Sequence, residues 1–574
     1  MHHFPRRRRS ARSRGRPRGC VIAARRLLGR LFLFLLWVVG ALLWFRQSLR
    51  LRDSPALQRA LRQCGGGGGE QQQHMVPVFV VDPRQVGPRI MGLARARFLI
   101  ESLRDLDGSL RARGSRLLCL RGLPEEVLPR LARERGVSDV VWEADRGCEA
   151  WVRERDEEVA RSLAPGARVH VETGHTLWDP EQLLARAPGG EPPTSMPAFL
   201  KVAGRAGAPP RPLEVALPEA LPAPGGDPGA ASSGVPSLAE LGYSSEEDRG
   251  GEGRFPFPGG ETAGLERLEA SVRRRGGVWA AGFEKPQTDP TQVEGPPFAE
   301  RSTTALSPYL RFGCVSARTF YWKLQDEVYS KKPGHALPPV SLHGQLLWRE
   351  FFHLNAFAVP NYHRMEGNPV CRQVPWAEGP EADRRLAAWE AGATGYPWID
   401  ACMTQLREEG WLHHLARHAV ACFLTRGDLW VSWERGRDVF DRLLVDADPA
   451  LNSANWMWLS CSSYFYQYFR CYSPVAFPKK YDKRGEYVRR WVPALRDMPD
   501  AYIYEPWKAP RAVQERAGCV VGRDYPAPIV EHGPTSKENM ERMKVAYDAH
   551  KAQKAPGKSR APAASAPARK RAKA

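Results

Sequence analysis

Apolar and polar positions alternate in two periods from about Ala41 to Glu172, predicting strands and helices in turn. Leu42–Arg46 is a short apolar run, and Asp53 stands where it would cap a helix over Ser54–Gln63. Val76–Val81 is β-branched, and Ile90–Arg113 is a long amphipathic stretch. Arg116–Leu120, a helix over Pro124–Arg135, Asp139–Glu143, a helix over Cys148–Leu163, and Val169–Glu172 complete the series. Five strands separated by helices predict an α/β, doubly wound, mostly parallel sheet. No GxGxxG follows the first strand, and Gly65–Gly69 reads as a loop insertion.

From Asp179 to about 296 the pattern dissolves into Pro, Gly, Ala and Ser, which predicts an interdomain linker of low order. Within it, Pro236–Tyr243 and Gly259–Gly276 are expected to dock as short helices. Residues 297–526 return to helical periodicity and hold twelve of the eighteen Trp, so an all-helical second domain is expected. The divisions are thus 1–40, a basic and apolar variable extension; 41–178, the α/β domain; 179–296, the linker; 297–526, the helical domain; and 527–574, a basic, disordered tail.

Charge changes the picture only at the ends. Residues 1–30 carry eleven Arg and residues 551–574 eight Lys or Arg, neither with an acid, so nearly all of the net +20 belongs to them. A nucleic-acid surface on the body must therefore be a local patch. Eleven Cys without a CxxC pair read as reduced thiols. Leu31–Phe45 is uncharged, but its fifteen residues fall short of the about 20 that span a bilayer. Its second half is read as the first strand, and no membrane association is expected; a targeting leader is the other reading.

The helical region carries the candidate chemistry. The stretch from Thr303 to Gly313 opens with hydroxyls and free N–H groups ahead of a helix, a start that can hold a diphosphate or be simply a capped helix. Gln345, Trp348 and Arg349 fall at i, i+3 and i+4, giving one face an amide, a ring and a guanidinium that suit a flat heterocycle or a Trp–Arg packing pair. His414 and His418 are four apart with Arg417 on the same face, while His413 points about 100° away. Two imidazoles can serve as acid and base, and the Arg favours a neutral form of one. Zinc suits this segment poorly: it lacks the HExxH glutamate, and Arg417 would repel a cation, so no metal is expected. Asp446, Asp448 and Asn452 offer acceptors in a loop before a helix, where Asp448 can also be the N-cap. Trp430 and Trp433 share a face, whereas Trp456 and Trp458 are about 200° apart and look opposite ways. Core packing is the ordinary role of any single Trp.

Six strings occur in order: TTALSPYLRFGC, GQLLWREFF, GYPWIDACMTQL, GWLHHLARHAVACFLTRGDLW, DADPALNSANWMWLSCSS and YIYEPWKAPRAVQERAGC. Together they identify a resemblance to the photolyase/cryptochrome family over roughly Leu42 to Pro534, most similar to the branch of animal (6-4) photolyases and animal cryptochromes. The resemblance implies an α/β domain joined to an all-helical domain that binds FAD. It implies that Thr303, Thr304, Leu306 and Ser307 hold the flavin phosphates and ribityl chain. Gln345, Arg349, His414, Arg417, Asp446 and Asp448 would line the flavin, with Asn452 facing its N5. Trp456, Trp433 and Trp376 would form an electron-hopping chain with Trp430 as a fourth member. No motif identifies an antenna chromophore in the first domain.

The implied activity is light-driven repair of UV-induced (6-4) photoproducts in DNA. An electron from excited reduced FAD enters a lesion flipped into a cavity, because chemistry cannot reach a stacked base. His414 donates a proton with His418 supporting, a contribution of about 10²–10⁴ in rate. Gln345, Trp348, Trp458, Arg470 and Tyr472 would form the cavity walls. Asn455 before Trp456, the string from Phe469 to Pro474, and a short tail favour repair over the competing reading, a blue-light receptor or circadian transcriptional regulator with clock-protein partners. A flavin-free transcriptional partner is a third. A monomer is expected, and Ala568–Lys573 reads as a nuclear import signal or a phosphate-binding tail. The oligoglycine run, Pro449, Pro478 and the residues between Trp376 and Trp389 depart from the family pattern and bear on loop geometry.

Overall fold

A computed structural model describes residues 40–65, 74–147, 149–213, 219–222, 234–244, 255–284 and 303–554. The amino-terminal extension, the oligoglycine insertion after Gly65, which itself ends a helix, and the basic end beyond 554 lie outside the described residues.

Five strands, β1 (Gly40–Phe45), β2 (His74–Val81), β3 (Leu118–Arg121), β4 (Asp139–Glu143) and β5 (Arg168–Glu172), form one parallel sheet in the order β3-β2-β1-β4-β5. Helices α1 (Pro55–Gly65), α2 (Leu93–Arg111), α3 (Pro124–Glu134) and α4 (Ala150–Leu163) make the crossovers. Because side chains alternate across a strand, β1 divides its residues between two cores: Leu42 and Trp44 pack under α3 and α4, while Ala41, Leu43 and Phe45 join the larger core of α1, α2 and the helical domain. All six β1 residues are buried, as expected for a strand covered on both faces. The chain order reverses between β1 and β4. The crevice there opens into a cavity of about 770 Å³ lined by Arg46, Asp82, Trp151 and Arg155 among others.

Asp53 does not cap α1. Its carboxylate turns instead to Arg318 (2.8 Å) and Ser316 of the helical domain, and Ser54 Oγ accepts the Leu57 N–H. Burial of that carboxylate is offset by the guanidinium, which outweighs a cap.

The described parts of 179–296 are more ordered than a linker. Asp179 caps α5 (Pro180–Leu184), and α6 (Met196–Ala206) buries Met196, Phe199 and Val202. α7 (Glu261–Arg273) falls within the expected second helix; its Glu261 carboxylate accepts the backbone N–H groups of Leu51 and Arg52. Pro236–Tyr243 is a turn rather than a helix, anchored by buried Leu241 and Tyr243. Apolar anchors spaced widely among Pro and Gly fix this segment without giving it a period.

The helical domain comprises α8 (Ser307–Arg311), α9 (Ala317–Leu324), α10 (Leu342–Ala358), α11 (Pro380–Ala391), α12 (Pro397–Glu409), α13 (His414–Cys422), α14 (Trp433–Leu443), α15 (Pro449–Leu459), α16 (Ala476–Tyr481), α17 (Glu486–Trp491), α18 (Arg511–Arg516) and α19 (His532–Lys554). Pro449 is harmless: it occupies the first turn of α15, where its missing N–H costs nothing. α19 corrects the expectation of a disordered tail from 527. Asn539, Met543 and Ala546 are buried, the Asn539 amide donates to the Asp428 carbonyl (3.2 Å), and the Tyr547 hydroxyl donates to the Cys461 carbonyl (2.7 Å). The described cysteines are all free, and among the described residues no helix is long and apolar enough to cross a membrane.

Candidate active site

A cavity of about 620 Å³ opens between α8, α10, α13 and α15. All of Thr303, Thr304, Leu306, Ser307, Gln345, Arg349, His414, Arg417, Asp446, Asp448 and Asn452 line it, brought from four separate stretches of sequence. Its size is that of a pocket for an extended organic ligand, about 300–1,000 Å³.

The wall is built around Asp446. Its Oδ2 accepts the Ser307 hydroxyl (2.6 Å) and the Arg417 guanidinium (2.9 Å), tying the α8 start to α13, while its buried Oδ1 has no partner among the described residues. Asp448 caps α15 by accepting the Leu451 N–H (3.1 Å). Burial alone would raise its carboxyl pKa, but the neighbouring His353 and His175 outweigh that and hold it well below the usual range. Arg349 is buried against Glu350 (3.0 Å), and Asn452 donates to the Arg437 carbonyl (3.1 Å).

His414 and His418 are adjacent, with ring centroids 5.6 Å apart at 78°, and both face the cavity. His413 is the N-cap of α13, its Nδ1 accepting the Leu415 N–H. Burial, then the cationic form of neighbouring histidines and Arg417, lowers His414 to about 2; burial and Arg417 lower His418 to about 4. Both imidazoles are therefore neutral near neutral pH, not one of them alone. The Nδ1 of His414 is buried without a partner among the described residues, while that of His418 lies 3.3 Å from the Tyr472 hydroxyl.

Trp348 and Trp458 meet at 90° with centroids 5.4 Å apart, forming an aromatic corner on the cavity wall. Trp458 also stacks on Phe465. Tyr472 reaches the cavity only through His418, and Arg470 is exposed and away from the wall, because Arg426 holds its loop from beneath through the Tyr468 and Arg470 carbonyls. Trp456 lines the cavity, Trp433 is fully buried, and Trp376 packs on Trp430 with centroids 4.8 Å apart. The Trp430 indole donates to the Pro375 carbonyl and lies under the Arg542 guanidinium of α19.

The sequence reading missed two features. Trp389 meets Trp456 at 75° with centroids 6.1 Å apart, although nothing in its own segment singles it out. His175 and His353 approach Asp448 from distant segments, so no local spacing announced them.

The comparisons agree with this architecture. A family model described as the FAD binding domain of DNA photolyase matches residues 341–545, and one described as DNA photolyase matches 41–219. Both run past the domain edges expected at 526 and 178. A (6-4)DNA photolyase of Arabidopsis thaliana is 47% identical over 522 residues, 89% of each chain. Cryptochrome-1 of Gallus gallus is 46% identical over 513 residues, 89% of this chain and 78% of that one. The crystal structure of a bacterial class III photolyase from Agrobacterium tumefaciens superposes with a TM-score of 0.72 at 28% identity, covering 89% of this chain and 98% of that one. The sheet, the helical domain and its cavity are those of one lineage: the chain belongs to the photolyase/cryptochrome family, and its helical domain is an FAD-binding domain of that type.

Proposed function

We propose that this protein repairs UV-induced (6-4) photoproducts in DNA by light-driven electron transfer. The observation that carries the reading is the pair of neutral, cavity-facing imidazoles of His414 and His418 beside the cofactor wall, with an aromatic corner at the same cavity. The similarity to a (6-4)DNA photolyase over nearly the whole chain supports it.

The residues present fit FAD. The cavity is large enough, and the buried, unpartnered Asp446 Oδ1 and His414 Nδ1 are left for a ligand to satisfy. Thr303, Thr304, Leu306 and Ser307 would hold the phosphates and ribityl chain, and Gln345, Arg349, Arg417, Asp446, Asp448 and Asn452 the ring system. When bound, reduced flavin supplies the photo-excited electron for the lesion. Trp456, Trp433, Trp376 and Trp430, the last two in ring contact, would replenish electrons from outside.

Trp348 and Trp458 give the flipped bases two perpendicular stacking surfaces, each of a kind worth about 1–3 kcal/mol. His414 manages the proton. Burial lowers its pKa to about 2, so it rests neutral, and a proton taken up from solvent would pass on from it to the migrating hydroxyl once the lesion carries negative charge. His418, oriented by Tyr472, holds its neighbour in place. The cavity at the sheet crevice would take a light-harvesting pigment. Damaged DNA is the partner, a local positive patch its contact, and the nucleus the location, with Ala568–Lys573 as the import signal.

Light-dependent repair of an oligonucleotide bearing one (6-4) lesion tests the reading. Wild-type protein is expected to repair it, and His414→Ala to lose about 10²–10⁴ in rate while staying yellow. Failure of the wild type with bound, reduced flavin, or undiminished repair by the variant, refutes it; the first outcome would favour a sensor like the cryptochrome relatives.

A further inference from the structure

Behind the cavity wall three buried side chains from distant segments converge. His175 follows β5, His353 lies on α10 and Asp448 caps α15; their ligand atoms all lie within 4.8 Å of one another. Nε2 of His353 is 3.3 Å, and Nε2 of His175 3.9 Å, from the same carboxylate oxygen, Asp448 Oδ2. Their side chains are only 3%, 7% and 7% exposed. The rings meet at 74° with centroids 5.4 Å apart. Among the described residues, Nε2 of His175 and both ring nitrogens of His353 have no partner that meets hydrogen-bond geometry.

Two unsatisfied imidazoles aimed at one oxygen in a dry interior are costly if nothing joins them. We propose that His175, His353 and Asp448 form a binding site for one divalent transition-metal ion, with zinc the simplest occupant. Two nitrogens and a carboxylate oxygen suit zinc and its neighbours in the first transition row, whereas magnesium and calcium take oxygen ligands. Bonds of about 2.0–2.1 Å in a tetrahedron place neighbouring ligand atoms about 3.3 Å apart. The His353–Asp448 separation already has that value, and His175 needs to close by about 0.6 Å to match it. Three protein ligands leave the fourth position for water.

The surroundings hold the ligands in place. Asp448 Oδ1 is occupied by the Leu451 N–H, which leaves Oδ2 for the ion. A Cβ at Gly147 would collide with the His353 ring, so the bare backbone there fixes its rotation. The nearby Arg349 charge is matched by Glu350, whose other oxygen accepts the Leu177 N–H two residues from His175. An ion here would join the end of the α/β domain to two helices of the helical domain and immobilise the carboxylate shared with the cavity. The proposal departs from the expectation of no metal, which was argued from the His413–His418 segment. The inference stands independently of the repair reading.

The test uses the full-length protein with its flavin, loaded with Zn²⁺ and dialysed exhaustively. Wild type is expected to retain about one zinc per chain, and zinc-edge X-ray absorption to give a nitrogen and oxygen shell with two imidazoles. His353→Phe and His175→Phe should each lose the ion at unchanged flavin content. Wild-type protein that dialyses free of zinc, or variants that retain it as wild type does, would overturn the proposal. Should both variants fail to fold, a zinc shell containing sulfur or fewer than two imidazoles does the same.

Discussion

Replacing Asp446 tests whether the cofactor wall is organised by one carboxylate. Its Oδ2 accepts from Ser307 at 2.6 Å and from Arg417 at 2.9 Å, with side-chain exposures of 4% for Asp446 and 23% for Arg417. A hydrogen bond to a charged group contributes about 1.5–3 kcal/mol, and partial solvent contact at Arg417 argues for the lower end. Losing both in Asp446→Ala then removes about 3 kcal/mol of organisation, which on the cofactor side is about a hundredfold weaker FAD binding. Asp446→Asn keeps an acceptor for Ser307 and gives up the ionic partner, so it should fall roughly halfway. The assay is titration of flavin-free protein with FAD, followed by flavin fluorescence, for wild type, Asp446→Ala, Ser307→Ala and the double variant. The cycle should show coupling of about 1–2 kcal/mol between the two positions. Asp446→Ala binding FAD within about threefold of wild type, or effects additive within about 0.5 kcal/mol, would refute the reasoning.

Three further outcomes are expected. Trp376→Phe should slow photoreduction of oxidised flavin while repair by protein reduced beforehand with dithionite stays at the wild-type rate; loss of both would place Trp376 in structure rather than electron supply. Gly436→Ala should destabilise by about 1–2 kcal/mol net, because the new methyl meets the ring of Trp456 and the side chain of Leu424 at an overpacking cost toward the upper end of about 1–3 kcal/mol, against about 1 kcal/mol of helix propensity gained; an unchanged denaturation midpoint would contradict the packing. The docking of α19 should weaken as pH rises. The Asp428 carboxylate hydrogen bond raises the His532 pKa against burial, and burial raises Asp428 against His532, so each group holds its proton more tightly folded than unfolded. The His532 contribution is complete below about pH 6.5 and lost as pH climbs through its elevated folded value. Hydrogen exchange across 532–554 should accelerate over that window in wild type and not in His532→Gln.

The strands were legible to within a few residues because β1, β2 and β4 are buried on both faces and are apolar at their centres, even where β4 begins and ends with an acid. The His414–His418 pair was legible for a related reason: one helical turn fixes which side chains meet. α19 escaped because its buried stripe of Ser536, Asn539, Met543 and Ala546 is thin, begins with a hydroxyl and an amide and sits within a polar helix. Asp53 was misassigned because its true partner, Arg318, is 265 residues away. The same distance problem hid the approach of His175 and His353 to Asp448; pairings of that kind are decided by the fold, not by neighbours in sequence.

The loop after β1 has a consequence for how the chain acquires its shape during synthesis. Leu49 donates its N–H to the Phe312 carbonyl, Arg50 reaches the Gly313 carbonyl, and a side chain at Gly313 would collide with the backbone of Gln47. A segment that leaves the ribosome early therefore waits for partners made some 260 residues later. On one face of its sheet the core begun by α1 and α2 is completed only then. The two regions are separate in topology but mature as a single cooperative body, and a fragment ending at β5 would expose a greasy surface that chaperones must shield.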